Sequence, residues 1–366
     1  MRARLLRVPL AAALPLALAT CTGTHTASVS PTRDTTPLDS LFAAYAPLTG
    51  PGASVVVVRA GMIAYEKSFG AADVEARVPA TPRTNYRLAS LTKEFTAMAV
   101  MLLVQDGKLR YDEPLTAIFP ELPAWGRGIT LRNLLNHTSG IWDYEDLIPD
   151  SQTTQVHDRD VLALVARQDS TYFKPGSAWR YSNTGYALLS LAVERASGMS
   201  FARFLHDRIF APLGMEGTVA HVDGVDSVPR RAFGYTVDSS GVHRTDQSTT
   251  SAVLGDGGIY SSVADLARWA VALAMHTLLD SAAFAPAVTP VTLADGTSSG
   301  YGMGWFVDSY GGTTRYWHYG ETRGFANVIF RFPERRLTIV ILANRNGDPP
   351  KAIAERIADR YLISVR

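Results

Sequence analysis

The central stretch of this chain reads SLTKEFTAMAVMLLVQD from Ser90 to Asp106. Its apolar positions recur every three or four residues, which predicts a helix with one buried face. These positions are Phe95, Met98, Ala99, Leu102 and Leu103. Ser90 lies in the first turn of this helix, and Lys93, three residues later, lies on the same side. In isolation, such a pair is typical of a helix cap followed by a surface charge.

The same pair also has the chemistry of a nucleophilic site. A serine hydroxyl is a weak nucleophile until a neighbouring group accepts its proton. A partly desolvated lysine has a lowered pKa and can accept that proton, whereas arginine stays charged. Backbone N–H groups at the start of the helix favour a developing oxyanion. Ser90 and Lys93 are therefore candidate catalytic residues.

A second group of candidates is Tyr181-Ser182-Asn183, directly before a predicted apolar helix. Tyr181 can move a proton to or from Ser90 if a nearby cation lowers its pKa. Asn183 offers an amide donor and an acceptor to a substrate carbonyl or amide. The alternative is a core tyrosine with Ser182 or Asn183 capping the helix, and we interpret Ser182 as structural.

A third group is His318-Tyr319-Gly320, at the end of a predicted strand. Gly320 permits close approach of a ligand to the backbone, and the strand edge can bind an extended substrate. The backbone N–H of Glu321 can serve as a second oxyanion donor. The alternative is a structural histidine followed by a turn glycine.

The patterns S-x-x-K, Y-x-N and H-x-G each occur once in the chain, in this order. Together they resemble the serine β-lactamase and penicillin-binding superfamily, in particular its class C-like branch. That branch includes class C β-lactamases, D-Ala-D-Ala carboxypeptidases, D-aminopeptidases and related esterases. The resemblance covers about residues 38–362. Further segments that resemble the branch are 133–140 (NLLNHTSG), 257–262 (GGIYSS) and 301–305 (YGMGW).

The resemblance implies a role for each candidate in the chemical step. Ser90 would be the nucleophile that becomes acylated. Lys93 and Tyr181 would together handle its proton, and the resemblance does not decide which is the general base. The backbone N–H groups of Ser90 and Glu321 would form the oxyanion hole. No cofactor is implied, and no spacing of His, Asp or Glu suggests a metal.

The resemblance also implies which residues contact the substrate, namely Asn183, His318 and Gly320. Class C β-lactamases usually carry K-T-G where this chain has His318-Tyr319-Gly320. A largely neutral histidine would hold a β-lactam carboxylate less firmly than a lysine. We therefore expect an acyl-enzyme hydrolase of an ester or a D-amino-acid amide, of carboxypeptidase or esterase type. The alternatives are a penicillin-recognising acylation sensor with little turnover, or a class C-like β-lactamase.

The loops around residues 142–148 and 239–250 are expected to shape the acyl pocket, so sequence alone does not choose the substrate.

Strands are predicted at both ends of the chain, with mostly helical patterns between them. Val55 to Val58 form a buried-strand signature followed by a hairpin turn, and four more strands are predicted within residues 302–344. This order predicts an α+β fold of the β-lactamase/transpeptidase type, with an antiparallel sheet built from both termini and an inserted all-α domain. We expect an α/β domain from residues 38–82 and 252–366, a helical domain from residues 83–251, and the active site in the cleft between them.

The N-terminal segment is interpreted as an export signal. Residues 1–21 combine three arginines with a 12-residue apolar stretch from Val8 to Ala19, which is too short for a membrane span. The single cysteine, Cys21, directly follows and resembles a bacterial lipobox cysteine; ordinary cleavage near residues 17–19 is the alternative. Residues 22–37 predict a flexible tether. We expect an exported protein, periplasmic or at the cell surface, tethered to the membrane if Cys21 is lipidated and otherwise secreted.

The composition excludes several classes of protein. With 46% hydrophobic and 19% charged residues, the chain is not a disordered tail. One cysteine allows no internal disulfide and no cysteine-based zinc site. A net charge of +1 gives no sign of nucleic-acid binding. The expected partner is a small-molecule or peptide substrate.

Overall fold

A computed structural model describes residues 38–347 and 350–363. The predicted signal, Cys21 and the tether lie outside the described residues. The helices are Thr92–Gln105 (α1), Leu115–Ile118 (α2), Leu131–Leu135 (α3), Asp158–Ala166 (α4), Asn183–Ser197 (α5), Phe201–Leu205 (α6), Leu254–Gly257 (α7), Val263–Met275 (α8), Ser281–Phe284 (α9) and Pro350–Ile363 (α10). Short 3-10 turns include Leu38–Tyr45 and Ala89–Leu91. Within the part of the chain that the structure describes, no helix is long and apolar enough to cross a membrane.

The strands are Ala53–Arg59 (β1), Met62–Phe69 (β2), Ala71–Asp73 (β3), Val78–Pro79 (β4), Tyr86–Arg87 (β5), Val219–Ala220 (β6), Tyr235–Asp238 (β7), Gly241–Arg244 (β8), Ile259–Ser261 (β9), Phe306–Tyr310 (β10), Thr313–Thr322 (β11), Phe325–Phe332 (β12) and Leu337–Ala343 (β13). Six of them form one antiparallel sheet in the order β10-β11-β12-β13-β1-β2. Strands from both ends of the chain therefore meet in one sheet, as the sequence predicts.

The two faces of this sheet belong to different clusters of the core. On β1, Val55 and Val57 pack toward the first 3-10 turn and α10, whereas Val56 and Val58 pack toward α1 and α8. Strands β12 and β13 are buried along their whole length, which explains their rows of β-branched and aromatic residues. The predicted fold class is confirmed.

The region between the two groups of strands is dominated by α1 and α5. Thr92 to Leu103 are all buried in α1, and Thr184 to Val193 are all buried in α5. This region also contains the β7–β8 hairpin. The hairpin includes the first residues of the segment 239–250, which we expected to be a loop. The predicted boundaries between two domains, near residues 82 and 252, stay a prediction.

Two strand predictions near the site were wrong in their limits. The first of the four strands predicted within residues 302–344 was expected to begin at Gly302, but β10 begins only at Phe306, because Gly302 and Gly304 pack their backbones closely against neighbouring chain segments. A strand was also expected to end at His318, but β11 continues to Thr322. Pairing with β10 stops at Trp317, so one edge of residues 318–322 is left without a strand partner.

Candidate active site

Ser90 lies in a tight turn that leads from β5 into α1. This turn is a 3-10 helix over Ala89–Leu91, and Ser90 is partly exposed between the buried Ala89 and Leu91. Ala89 has a φ of 49°, in the left-handed region that costs a non-glycine residue roughly 1 kcal/mol or more. The strained residue therefore directly precedes the candidate nucleophile and turns it out of the core.

Strand β11 packs directly against this turn. A Cβ atom placed on Gly320 would lie 2.1 Å from the carbonyl oxygen of Leu88 and 3.2 Å from the backbone nitrogen of Ser90. The absence of a side chain at Gly320 therefore allows β11 to pack closely against the nucleophile turn, and the approach of a ligand to its backbone stays a prediction. From β12, the amide of Asn327 donates hydrogen bonds to the carbonyl oxygens of Arg87 (2.9 Å) and Leu88 (3.2 Å) and holds the same turn.

Lys93 is fully buried beneath Ser90. Its Nζ donates three hydrogen bonds, to Ser90 Oγ at 3.0 Å, to Asn183 Oδ1 at 2.8 Å and to the backbone oxygen of Asp256 at 3.0 Å. Burial lowers the pKa of Lys93, although nearby carboxylates oppose the change. The structure thus brings Ser90 and Lys93 into contact, with the lysine in surroundings that favour its neutral form.

Asn183 links Lys93 to two carboxylates in the loop before α4. Its side-chain nitrogen donates to Glu145 Oε1 at 3.2 Å, and its backbone N–H donates to Asp143 Oδ2 at 2.9 Å. Ser182 accepts the N–H of Gly185 and caps α5, as expected for a structural serine. The Asn183 amide is therefore already hydrogen-bonded within the site, and its contact with substrate stays a prediction.

Tyr181 lies beside Lys93, with Nζ 4.9 Å from the centroid of the phenol ring. Its hydroxyl oxygen is shielded from solvent and makes no hydrogen bond of normal geometry with a described residue. Burial raises the pKa of Tyr181 well above 10, and the nearby Ser90 hydroxyl opposes only part of this rise. Burial therefore opposes any lowering of this pKa by the nearby Lys93, and Tyr181 is a neutral phenol at neutral pH. Its part in moving the Ser90 proton stays a prediction.

His318 is completely buried rather than open to the cleft. Its Nδ1 lies 2.6 Å from the carbonyl oxygen of Tyr319, and its Nε2 lies 3.1 Å from the Tyr301 hydroxyl. These partners assign the proton to Nδ1, so that Nε2 accepts from Tyr301. Burial and the charge of Lys93 lower the pKa of His318 to about 3. The imidazole is neutral, both nitrogens are hydrogen-bonded within the protein, and its contact with substrate stays a prediction.

Two other predicted residues have simple placements. Glu321 is exposed on β11, directly after Gly320, and the oxyanion role of its N–H stays a prediction. His137 is buried with a φ of 60°, and its Nδ1 accepts the N–H of Ser182 at 3.2 Å. His137 belongs to the segment 133–140 that resembles the class C-like branch, and no role was predicted for it.

The sequence analysis missed an acidic group around Lys93. It consists of Asp143, Glu145 and Asp256, whose pKa values are all raised, chiefly by burial. Asp256 also accepts a hydrogen bond from the Tyr144 hydroxyl at 2.9 Å. The signal available in the sequence was the run Asp143-Tyr144-Glu145-Asp146, inside a loop already expected to shape the acyl pocket. We therefore name Asp143 and Glu145 the acidic pair.

The comparison with protein families agrees with this geometry. Residues 41–362 match the family model described as Beta-lactamase. The chain belongs to the beta-lactamase family. It is 34% identical to penicillin-binding protein 4* of Bacillus subtilis (strain 168) over 310 residues, which cover 81% of this chain and 68% of that protein. The resemblance to the serine β-lactamase and penicillin-binding superfamily is thus confirmed, and with it acylation or hydrolysis chemistry at a serine.

Solved structures of this family are also similar to the chain. The octameric penicillin-binding protein homologue from Pyrococcus abyssi has a TM-score of 0.77 and 28% identity, over 88% of this chain and 76% of that one. The D-amino acid amidase from Ochrobactrum anthropi SV3, complexed with L-phenylalanine, has a TM-score of 0.75 and 25% identity, over 90% of this chain and 98% of that one.

Proposed function

We propose that this protein is a serine hydrolase that forms a covalent acyl-enzyme at Ser90. The observation that carries the proposal is the 3.0 Å hydrogen bond between Lys93 Nζ and Ser90 Oγ, made by a fully buried lysine. In its neutral form this amine accepts the Ser90 proton as Oγ attacks a carbonyl carbon. The N–H of Ser90, and that of Glu321 on the free edge of β11, would receive the oxyanion.

Collapse of this tetrahedral intermediate releases the amine or alcohol and leaves an ester on Ser90. The leaving group takes up one proton, which the protonated Lys93 or the neutral phenol of Tyr181 can donate. Attack by water on the ester then releases the acid and restores the serine. Because the pKa of Lys93 is lowered, we assign the general base to Lys93. The ammonium formed on Lys93 is a stronger acid than the Tyr181 phenol, whose pKa is raised, so the proton taken from Ser90 returns from Lys93 to the leaving group, directly or relayed through the Tyr181 hydroxyl, and both side chains end the step neutral.

For the substrate, we propose an amide or ester of an amino acid whose α-ammonium is free, in the D configuration. The acidic pair, Asp143 and Glu145, lies next to Asn183 and supplies negative charge at the position where an ammonium can be held. The neutral His318 offers no charge to a substrate carboxylate, which disfavours β-lactams and D-Ala-D-Ala peptides. The similarity to the D-amino acid amidase from Ochrobactrum anthropi SV3 supports this choice.

A panel of substrates tests the proposal. It contains D-phenylalanine amide and its L enantiomer, N-acetyl-D-phenylalanine amide, p-nitrophenyl butyrate, a D-Ala-D-Ala peptide and a chromogenic cephalosporin, each with wild type and Ser90→Ala. We expect the highest kcat/KM for D-phenylalanine amide, and loss of turnover of every substrate in Ser90→Ala. Equal or higher kcat/KM for the D-Ala-D-Ala peptide or the cephalosporin would overturn the substrate proposal. Full activity of Ser90→Ala would overturn the nucleophile.

We also propose that the protein is exported and tethered through a lipid on Cys21. The proposal rests on the apolar stretch that precedes this cysteine and on the polar segment that follows it. Expression of wild type and Cys21→Ala in a bacterial host fed an alkyne fatty acid tests it. Labelling and membrane fractionation that are the same in both forms would contradict it.

A further inference from the structure

A second cavity lies on the face of the large sheet that packs against α8, away from Ser90. Its volume is about 390 Å³, within the range of roughly 300–1,000 Å³ typical of ligand pockets. Its walls are the C-terminal half of α8, the turn after α9, and strands β11, β12 and β13. Apolar side chains that line it include Val58, Leu273, Phe284 and Val288. Ser90, Lys93 and Tyr181 are not among the lining residues.

Arg331 on β12 forms part of the wall of this cavity and is only 6% exposed. Its Nη1 is shielded from solvent and has no hydrogen-bond partner among the described residues. In the same ranges, 38–347 and 350–363, no carboxylate lies within ion-pair distance of the guanidinium. It lies near the rings of Trp305 (5.5 Å) and Phe284 (5.9 Å). A buried cation without an ion pair is costly, because contacts with aromatic rings replace only part of the hydration that it has lost.

One buried carboxyl group interacts electrostatically with Arg331 but forms no ion pair with it. This group is Glu94, whose Oε2 accepts from the indole of Trp269 at 2.9 Å and whose Oε1 has no partner among the described residues. Burial raises the pKa of Glu94 to about 8, whereas burial lowers the pKa of Arg331 only to about 10. Burial therefore works against a negative charge on Glu94.

A second cation, Arg336, also lines the cavity. Arg336 and His276 both line the cavity and are exposed. The described residues that line it include no Asp or Glu. An apolar chamber with a buried cation and a second cation in its lining is complementary to a ligand with an apolar body and one negative charge.

We propose that this cavity binds an apolar monocarboxylate, with the carboxylate on the Arg331 guanidinium and the hydrocarbon part against Val288, Phe284 and Leu273. A carboxylate matches the planar fork of arginine and accepts two parallel hydrogen bonds from it. The site is separate from the acyl-transfer site, and the inference does not depend on the proposed substrate.

Calorimetric titration of the full chain with sodium octanoate tests the proposal. We expect one site per chain in wild type and the same affinity in Ser90→Ala, which excludes binding of the acid at the nucleophile. Arg331→Met should weaken octanoate binding at least about tenfold, the effect of losing hydrogen bonds to a charged group. The binding of 1-octanol, which has the same tail and no charge, should be weaker than that of octanoate in wild type and unchanged by Arg331→Met.

Two further variants distinguish loss of octanoate binding from loss of the folded structure. Val288→Trp fills the cavity from a partly exposed position while retaining the arginine, and we expect it also to abolish octanoate binding. Arg331→Lys keeps the positive charge but lacks the planar guanidinium, so we expect it to bind octanoate with an affinity between those of wild type and Arg331→Met. Each variant is checked for an unchanged circular dichroism spectrum and unchanged hydrolysis at Ser90. The proposal is overturned if wild type shows no saturable binding of octanoate at millimolar concentration, or if Arg331→Met or Val288→Trp binds it as tightly as wild type.

Discussion

Replacing Glu145 by Gln tests the proposed recognition of a substrate ammonium. The substitution removes one negative charge from the acidic pair but keeps a side-chain oxygen that can accept the hydrogen bond from Asn183. Asp143 is a poorer choice, because its carboxylate also accepts the backbone N–H groups of Asn183 and Glu145. The fold of the loop should therefore survive the Glu145→Gln substitution.

The size of the effect follows from the position of Glu145, which is exposed on one side and hydrogen-bonded to Asn183 on the other. A unit charge about 5 Å from an ammonium is attracted by roughly 3 kcal/mol at an effective dielectric constant of about 20. Solvent on the exposed side reduces this, and we expect about 1–2 kcal/mol. This corresponds to a loss of roughly 5- to 30-fold in kcat/KM.

The assay compares D-phenylalanine amide with its N-acetyl derivative, which lacks the charge. Glu145→Gln should lower the ratio of kcat/KM for the charged substrate to kcat/KM for the acetylated one by this factor. Glu145 also raises the pKa of Lys93, but a change in that pKa affects both substrates equally and cancels in the ratio. Asp150→Asn is the matched control, because it removes an exposed negative charge from the same loop. An equal loss on both substrates would indicate a structural effect, and no loss on the charged substrate would refute ammonium recognition by Glu145.

Three other predictions concern the buried groups of the site. Only the neutral amine of Lys93 accepts a proton, so kcat/KM should rise with pH through the pKa of Lys93. Because this pKa is lowered from the ordinary lysine value of 10.5, the rise should level off at a correspondingly lower pH. A pH profile of kcat/KM without this rise would contradict the assignment of Lys93 as general base. The pKa of His318 is lowered to about 3 in the folded protein, so below about pH 6.5 the unfolded chain binds a proton at this residue that the folded chain does not. The free energy of unfolding should therefore fall by up to about 1.4 kcal/mol for each pH unit of acidification between about pH 6.5 and 3. Urea unfolding at several pH values measures this loss, which should be smaller in His318→Asn. Gly320→Ala places a Cβ 2.1 Å from the Leu88 carbonyl oxygen and should lower kcat at least about 100-fold, whereas Gly128→Ala, which has open space around it, should not.

The sequence predicted those features that depend on local spacing. Ser90 and Lys93 are three residues apart at the start of an apolar helix, and this alone places them on one side of α1. The row of valines in β1 likewise predicts a strand buried on both faces. The periodicity of the side chains is sufficient to predict these features, because the residues involved are close together in the sequence.

What the sequence could not predict depends on contacts between distant segments. Lys93 donates a hydrogen bond to the backbone oxygen of Asp256, 163 positions further along the chain. Every residue type has a backbone oxygen, so the sequence gives no indication of this contact. The burial of His318 depends on Tyr301, which comes from another motif. Gly320 was expected to face a ligand, but its close neighbour is the nucleophile turn, more than 200 residues earlier in the chain. In each case the residue could be singled out from the sequence, but the residue that it contacts in the fold could not be predicted.

The central claim is that Ser90 becomes acylated with the help of Lys93. The most direct measurement is intact mass spectrometry, followed by peptide mapping, after brief exposure to a fluorophosphonate probe. We predict one adduct per chain, located on the peptide that contains Ser90. The adduct should be absent in Ser90→Ala and should form much more slowly in Lys93→Met. An adduct on another residue, or equal labelling of Ser90→Ala, would contradict the account.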